Sequence, residues 1–291
     1  MSSWFLLTLV SAIALGLYDL GKKHAVKDNS LLPVLFWSTL CGAVSFLLLI
    51  AVQGQFVSAW HCDWAEYWLI WVKGLLVAGS WYCGYAALRV LPISLASPIR
   101  ATAPLWVFFG GVCLYHEFPN GLEALGMLLI FSGYFALNAL GSLEGFSIRH
   151  PGIQYCLVGT LLGAGSALYD KFLLNTTSIN PLTVQLYFSL DVFICFAVAW
   201  AVRRLCHGPL EPLQWRWTIP ATGMMLIVSD FTYFHAVSLP DIQISQISLI
   251  RRSSCLLTFF LGAYLFHDRN VGFKSLALAL ILAGVTIMAL V

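Results

Sequence analysis

Residues 100–140 read RATAPLWVFFGGVCLYHEFPNGLEALGMLLIFSGYFALNAL, and residues 251–291 read RRSSCLLTFFLGAYLFHDRNVGFKSLALALILAGVTIMALV. The two stretches align without a gap and are identical at 12 of 41 positions, including an initial arginine (Arg100 and Arg251), a histidine before an acidic residue, and three glycines. Long apolar runs match one another through composition alone, but the shared arginine, histidine and glycines do not follow from composition. We therefore infer an internal duplication.

The composition places this duplicated pattern in a membrane. Of the 291 residues, 60% are hydrophobic and 10% are charged, whereas about a quarter are charged in a typical soluble domain. Mean hydropathy is +0.85. The net charge of +2 indicates neither a nucleic-acid partner nor an acidic one, and the eight cysteines are scattered without a C-x-x-C motif. We expect no disulfide framework, no metal site and no cofactor.

Ten apolar runs predict the helices that cross the bilayer. A helix of about 17 to 25 residues is needed to span roughly 30 Å of hydrocarbon, and in lipid only a helix or a closed barrel satisfies its own backbone hydrogen bonds. We place the spans near residues 4–20, 31–52, 68–88, 94–115, 124–140, 153–169, 182–202, 218–237, 242–266 and 275–290.

The duplication extends over the whole chain. A Tyr-Asp pair at positions 18–19 recurs at 169–170, and Tyr85 recurs as Tyr233. Each unit therefore holds five spans, and an odd number makes the two units cross the membrane in opposite senses. The predicted fold is an all-α polytopic membrane protein with ten transmembrane helices, built as two inverted five-helix repeats. The domain boundaries are residues 1–145 and 146–291.

The charges of the loops agree with inversion. In each of the four pairs of equivalent loops, one loop is richer in Lys and Arg than the other. One side of the membrane collects 10 of these residues and the other collects 1. The positive-inside rule then predicts that both termini lie outside the cytoplasm.

Each repeat also carries a loose motif. A short Ser/Ala-rich helix start at 94–98 is followed by an apolar helix ending in Glu117, or Asp268 in the second copy, then by a turn and a helix that contains Gly133. This pattern resembles the EamA-like branch of the drug/metabolite transporter superfamily, over nearly the whole chain. The resemblance implies a secondary transporter of small metabolites, with a central cavity lined by both halves and alternating access. It also implies cytoplasmic termini, so the orientation remains open.

Three arginines are candidate substrate-binding residues. Arg100 and Arg251 occupy equivalent positions in spans 4 and 9, where an unpaired charge costs about 2.5–3.5 kcal/mol on insertion scales. Facing one central site, their guanidinium groups could bind a carboxylate or phosphate through two hydrogen bonds. Alternatively, each pairs with a helix carbonyl or an aspartate, or extends to the interface. Arg252 is a further candidate, although it lies about 100° around the helix from Arg251.

Polar and aromatic residues in spans 3 and 8 complete the predicted site. Asp230 and Tyr233 share one helical face, where the carboxylate could bind an amine, take up a coupling proton, or act as the counter-ion of a nearby arginine. Trp81 and Tyr82 in span 3 are candidates for an aromatic wall of the cavity. The alternative for both is a position in the core or against lipid.

Four residues are candidates for coupling or gating. Asp19 and Asp170 lie near the ends of spans 1 and 6, where they either gate the cavity or form local ion pairs with adjacent lysines. Asp191 in span 7 has no obvious local partner. His235 could titrate near neutral pH, or it could be satisfied by packing and one hydrogen bond. We expect the two His-acid pairs, 116–117 and 267–268, simply to terminate helices.

The sequence therefore predicts a secondary transporter, acting as an exporter, of small organic metabolites such as amino acids or other carboxylates. Two alternatives remain: an exchanger of sugar phosphates or other anionic metabolites, and a non-transporting accessory membrane subunit. We do not expect an enzyme, because no two of the seven histidines are three or four residues apart. The expected partners are a small-molecule solute and the lipid bilayer of the cell membrane, and the sequence is compatible with a monomer.

Overall fold

The computed structural model describes residues 3–26, 29–90, 99–100, 102–139, 150–177, 179–208, 213–240, 242–254 and 271–290. All regular elements within these ranges are helices. They are α1 (Ser3–Val26), α2 (Leu31–Val52), α3 (Phe56–Trp60), α4 (Trp64–Val90), α5 (Ala103–Tyr115), α6 (Gly121–Ala139), α7 (Pro151–Lys171, continued by a π-helical turn at Phe172–Thr176), α8 (Pro181–His207), α9 (Thr218–Val237), α10 (Ile244–Arg252) and α11 (Val271–Leu290).

Several helices have the length and composition of membrane spans. Within the described residues, four stretches are long and apolar enough to cross a bilayer: Ser3–Lys22, Leu31–Val52, Pro151–Thr176 and Pro181–Cys206. The chain is therefore a multi-pass membrane protein, as its composition predicts, and the regular structure of its described part is all helical. The number of ten spans stays a prediction, because much of the predicted ninth span lies outside the described residues.

Helix α3 was not predicted from the sequence. It lies within the connection between the second and third spans, where the rings of Phe56 and Trp60 stack with centroids 5.4 Å apart. The Tyr187 hydroxyl of α8 donates a hydrogen bond to the Trp60 carbonyl, at 3.0 Å. This connection is thus ordered against the start of α8, as expected for aromatic residues at a membrane interface.

Local sequence signals explain where two of the spans begin. Asn180 caps α8 by accepting a hydrogen bond from the Leu182 amide at 2.9 Å, and His150 caps α7 by accepting one from the Gly152 amide at 3.2 Å. A proline follows each cap at the first helical position, where its missing N–H leaves no hydrogen bond unmade.

The largest contacts between helices join the two halves of the chain. Helix α1 packs on α9, α4 packs on α7, and α6 packs on α11, while α2 contacts both α8 and α9. The contact between α2 and α9 is close because a Cβ added to Gly223 would lie 2.1 Å from the Ser38 carbonyl oxygen and 2.9 Å from the Gly42 amide nitrogen. Small residues permit such approaches between membrane helices.

Candidate solute-binding cavity

A cavity lies between helices from both halves of the chain. The volume not occupied by protein atoms is about 430 Å³, and this figure includes open solvent at the mouth of the cavity. Helices α1, α2 and α4 supply one part of the wall, and α8 and α9 supply the other. The lining residues are Tyr18, Ser38, Thr39, Gly42 and Trp81 from the first half, and Gln185, Phe188, Ser189, Val192, Gly223, Leu226, Ile227 and Asp230 from the second.

Asp230 is the only charged residue among the described lining residues, and its charge is compensated. The Arg251 guanidinium of α10 forms an ion pair with the Asp230 carboxylate and donates a hydrogen bond to the Ser229 hydroxyl at 3.1 Å. It also lies over the Tyr233 ring, 4.3 Å from the centroid. The structure therefore brings three of the predicted site residues together, with Asp230 as the counter-ion of Arg251.

A second ion pair is buried beside the first. Lys73 of α4 pairs with Asp170 of α7, and their side chains are 3% and 4% exposed. The Lys73 ammonium lies 4.4 Å from the centroid of the Phe188 ring, and the Tyr233 hydroxyl hydrogen-bonds the Asp170 carboxylate. Tyr233 therefore contacts both ion pairs and links them into one network. Lys73 was not a predicted site residue, although its position inside an apolar run was a signal.

This pairing corrects the expectation that Asp170 forms a local ion pair with Lys171. Adjacent residues point about 100° apart on a helix, so the two side chains face different neighbours. Asp170 faces α4 and pairs with Lys73, while Lys171 pairs with Glu117.

The polar lining residues differ in how far their hydrogen bonds are satisfied. Thr39 donates to the Leu35 carbonyl at 2.7 Å, and Ser189 donates to the Leu186 carbonyl at 2.8 Å, so both hydroxyl protons are used within their own helices. Gln185 is fully buried, yet neither its amide nitrogen nor its amide oxygen has a partner among the described residues. Gln185 was not predicted as a site residue, since its only signal in the sequence is an amide inside an apolar run.

Comparison with known proteins agrees with this architecture. The EamA-like transporter family matches residues 2–139. Residues 2–139 belong to the EamA-like transporter family. The predicted resemblance is thereby confirmed, and with it the assignment to the drug/metabolite transporter type. These residues supply Tyr18, Ser38, Thr39, Gly42 and Trp81 to the cavity wall.

Solved structures extend the likeness of fold to the second half. One crystal structure of a protein superposes with a TM-score of 0.79, covering 100% of this chain and 97% of the other at 17% identity. An identity at this level supports a shared fold alone. No curated protein matches the chain significantly.

The other predicted substrate-binding residues do not all lie at the cavity. Trp81 lines the cavity and stacks on Phe196 with ring centroids 5.8 Å apart. Tyr82 is 60% exposed and is not brought to the cavity. Arg100 is exposed as well, within electrostatic range of Tyr18. Arg252 ends α10, and its side chain lies outside the described residues.

Two of the coupling candidates have simple surroundings. The His235 ring nitrogen Nδ1 lies 2.9 Å from the Phe231 carbonyl one turn earlier, and the His235 ring packs on the Phe231 ring with centroids 4.4 Å apart. This arrangement fits the alternative of a histidine satisfied by packing and a hydrogen bond. Asp19 is exposed and lies within electrostatic range of Lys22.

Asp191 is a buried carboxylate with an incomplete set of hydrogen bonds. It is 1% exposed, and its Oδ2 atom has no partner in the described part of the chain. Helix α4 packs closely against it, since a Cβ added to Gly74 would lie 2.8 Å from the Asp191 Cβ. In the connection before α4, burial raises the pKa of the Cys62 thiol to about 11, and the charges of Glu66, Asp63 and, least of all, Asp191 contribute in the same direction.

Glu117 does more than terminate a helix. His116 has a left-handed φ of 55° and ends α5 as expected, but Glu117 is buried and pairs with Lys171. The Glu117 carboxylate also accepts hydrogen bonds from the Ile244 amide, at 3.0 and 3.1 Å, where a negative charge favours the N-terminus of α10. Glu117 therefore joins α5, α7 and α10. The second pair, residues 267–268, lies outside the described residues.

Proposed function

We propose that this EamA-like transporter exports small organic solutes, amino acids or other carboxylates, across the plasma membrane by alternating access. The observation that carries the proposal is the cavity whose wall comes from both halves of the chain, with the Arg251–Asp230 pair at its edge. A binding region between two repeats is where transporters of this architecture hold their solutes.

The helix packing supports two inverted five-helix repeats, residues 1–145 and 146–291. Exchanging the halves turns the contact of α1 with α9 into the contact of α7 with α4, and that of α2 with α9 into that of α8 with α4. The same exchange turns the contact of α5 with α7 into that of α10 with α1, and leaves the contact of α6 with α11 unchanged. We propose that the repeats rock against each other around the cavity.

The charges at the cavity edge favour a solute with both an amine and a carboxylate. Such a zwitterion can place its ammonium group against Asp230 and its carboxylate against Arg251, so that no charge is left unpaired. Arg251 has a donor available for this exchange, because its buried Nε atom has no partner among the residues described. Trp81 and Phe188 in the cavity wall provide apolar surface for the rest of the solute.

Reconstitution into liposomes tests this function. Purified protein should transport radiolabelled L-amino acids. Arg251→Gln should weaken transport by on the order of 10- to 100-fold, because the variant loses a charge-assisted hydrogen bond to the solute. Arg100→Gln is the matched control and should retain transport, because Arg100 is exposed and does not line the cavity. Equal loss in both variants would indicate a clamp of two arginines. Protein that moves none of the amino acids, carboxylates or sugar phosphates would fit the accessory-subunit alternative.

We further propose that Asp191 couples transport to protons. Protonation of Asp230 or Asp170 would break an ion pair, whereas Asp191 can take up or release a proton without breaking one among the described residues. Asp191→Asn should therefore abolish the stimulation of solute uptake by a pH gradient. Solute exchange at equal pH on both sides of the membrane should remain unchanged. Uptake into proteoliposomes with and without the gradient measures both. Asp19→Asn, at an exposed position, should respond like the parent; an unchanged response in Asp191→Asn would exclude the coupling role.

A further inference from the structure

The Gln185 amide is a hydrogen-bonding group that the described fold leaves unused. Gln185 lies in the second turn of α8, is fully buried, and lines the cavity. Both polar atoms of its side chain lack partners among the described residues. Protein interiors avoid such groups because a buried amide without hydrogen bonds is unfavourable. Its neighbours Thr39 and Ser189, in contrast, donate to carbonyls of their own helices.

The charge of the wall restricts what this amide can bind. Asp230 carries the only formal charge in the described lining, and Arg251 neutralises it. The nearby Lys73 ammonium is held by Asp170. A phosphate dianion in the cavity would therefore lie near the Asp230 carboxylate, and the described lining offers no cation to neutralise it. Burying an uncompensated charge is strongly unfavourable. The wall suits a solute of zero net charge.

We propose that Gln185 determines specificity in this cavity, and that its amide binds a polar group of a net-neutral organic solute. The amide can donate through Nε2 and accept at Oε1, so it fits a carbonyl, carboxylate, hydroxyl or amine on the solute. This inference rests on the proposed function, namely that the cavity carries the transported solute. Gln185 would contact the solute in addition to the Arg251–Asp230 pair, and a net-neutral solute class excludes sugar phosphates.

Thermal unfolding of Gln185→Met tests the proposal, since methionine has nearly the volume of glutamine without its hydrogen bonds. Gln154→Met is the matched control, because Gln154 is exposed on α7. Unfolding is followed by tryptophan fluorescence in lipid nanodiscs, without solute and with L-threonine, L-glutamine, succinate or glucose 6-phosphate. Without solute, we expect Gln185→Met to melt at or above the parent Tm, because the variant no longer buries an unpaired amide. With a neutral amino acid, we expect the parent and the control to be protected, and Gln185→Met to need about tenfold more solute.

Each other outcome overturns a defined part of the proposal. A clearly lower Tm for Gln185→Met without solute would assign the amide a structural hydrogen bond. Equal protection of Gln185→Met and the parent would remove Gln185 from the solute site while leaving the proposed function intact. Protection by succinate or glucose 6-phosphate alone would overturn the net-neutral solute class. If no solute protects the parent and none is transported, the proposed function fails, and the role of Gln185 fails with it.

Discussion

Gly223→Ala is expected to give little folded protein, although the change adds only one methyl group. The added Cβ would lie 2.1 Å from the Ser38 carbonyl oxygen and 2.9 Å from the Gly42 amide nitrogen. Both are backbone atoms, so no rotamer change relieves the contact and α2 must move away from α9. Overpacking typically lowers the free energy of unfolding by about 1–3 kcal/mol, and a clash between two backbones should cost at least the upper value of this range. Because these three residues line the cavity, solute binding should be lost as well.

The matched control for this variant is Gly165→Ala. Gly165 lies inside α7, and a Cβ added there meets nothing within 4 Å. Alanine should therefore be tolerated and even stabilise the helix, by up to about 1 kcal/mol. The measurement is the yield of monodisperse protein by size-exclusion chromatography together with Tm. A Gly223→Ala protein with the yield and Tm of the parent would contradict the close approach of α2 and α9.

Among substitutions of single charged residues, we expect Lys73→Met to lower the stability of the protein most. It leaves Asp170 buried without its cation, and removing one partner of a buried ion pair costs about 3–5 kcal/mol. Neutralising both partners, in Lys73→Met with Asp170→Asn, should recover most of this loss, since no unpaired charge remains. We expect this recovery because the ion pair stabilises the fold mainly by neutralising two charges that are both buried away from water.

A double-mutant cycle on Tm and on urea unfolding measures this coupling. Arg204→Met is the control, because Arg204 is exposed near the end of α8, and it should change stability by less than about 0.5 kcal/mol. If Lys73→Met is as mild as the control, or if the double variant is less stable than either single variant, the ion pair does not stabilise the fold in the way described.

The helices could largely be predicted from the sequence. The second span was predicted at residues 31–52 and is observed at Leu31–Val52, and the seventh was predicted at 182–202 and is observed as Pro181–His207. Apolar runs predict spans well because a helix in lipid satisfies its backbone within one segment. Helix α3 was missed because five residues are too few to form an apolar run of recognisable period. The duplicated pattern also identified the family that matches residues 2–139.

The partners of the charged residues could not be predicted in the same way. The expectation for Asp170 was its neighbour Lys171, but its partner is Lys73, which is 97 positions away in the sequence. Asp230 had two adjacent arginines as candidates, and the packing of α9 against α10 brings Arg251 to it. Gln185 was overlooked because a single amide in an apolar run does not reveal which face of its helix lines a cavity.

The sequence by itself determined that this chain is helical, crosses a membrane several times and contains an EamA-like unit, because hydrophobicity, helix formation and the repeated motif are properties of continuous segments. Only the tertiary structure decided which charges neutralise each other and which polar side chains line the cavity. These choices depend on contacts between helices that are distant in the sequence, where the energy of desolvating a charge or an amide is set by the partner that packing supplies.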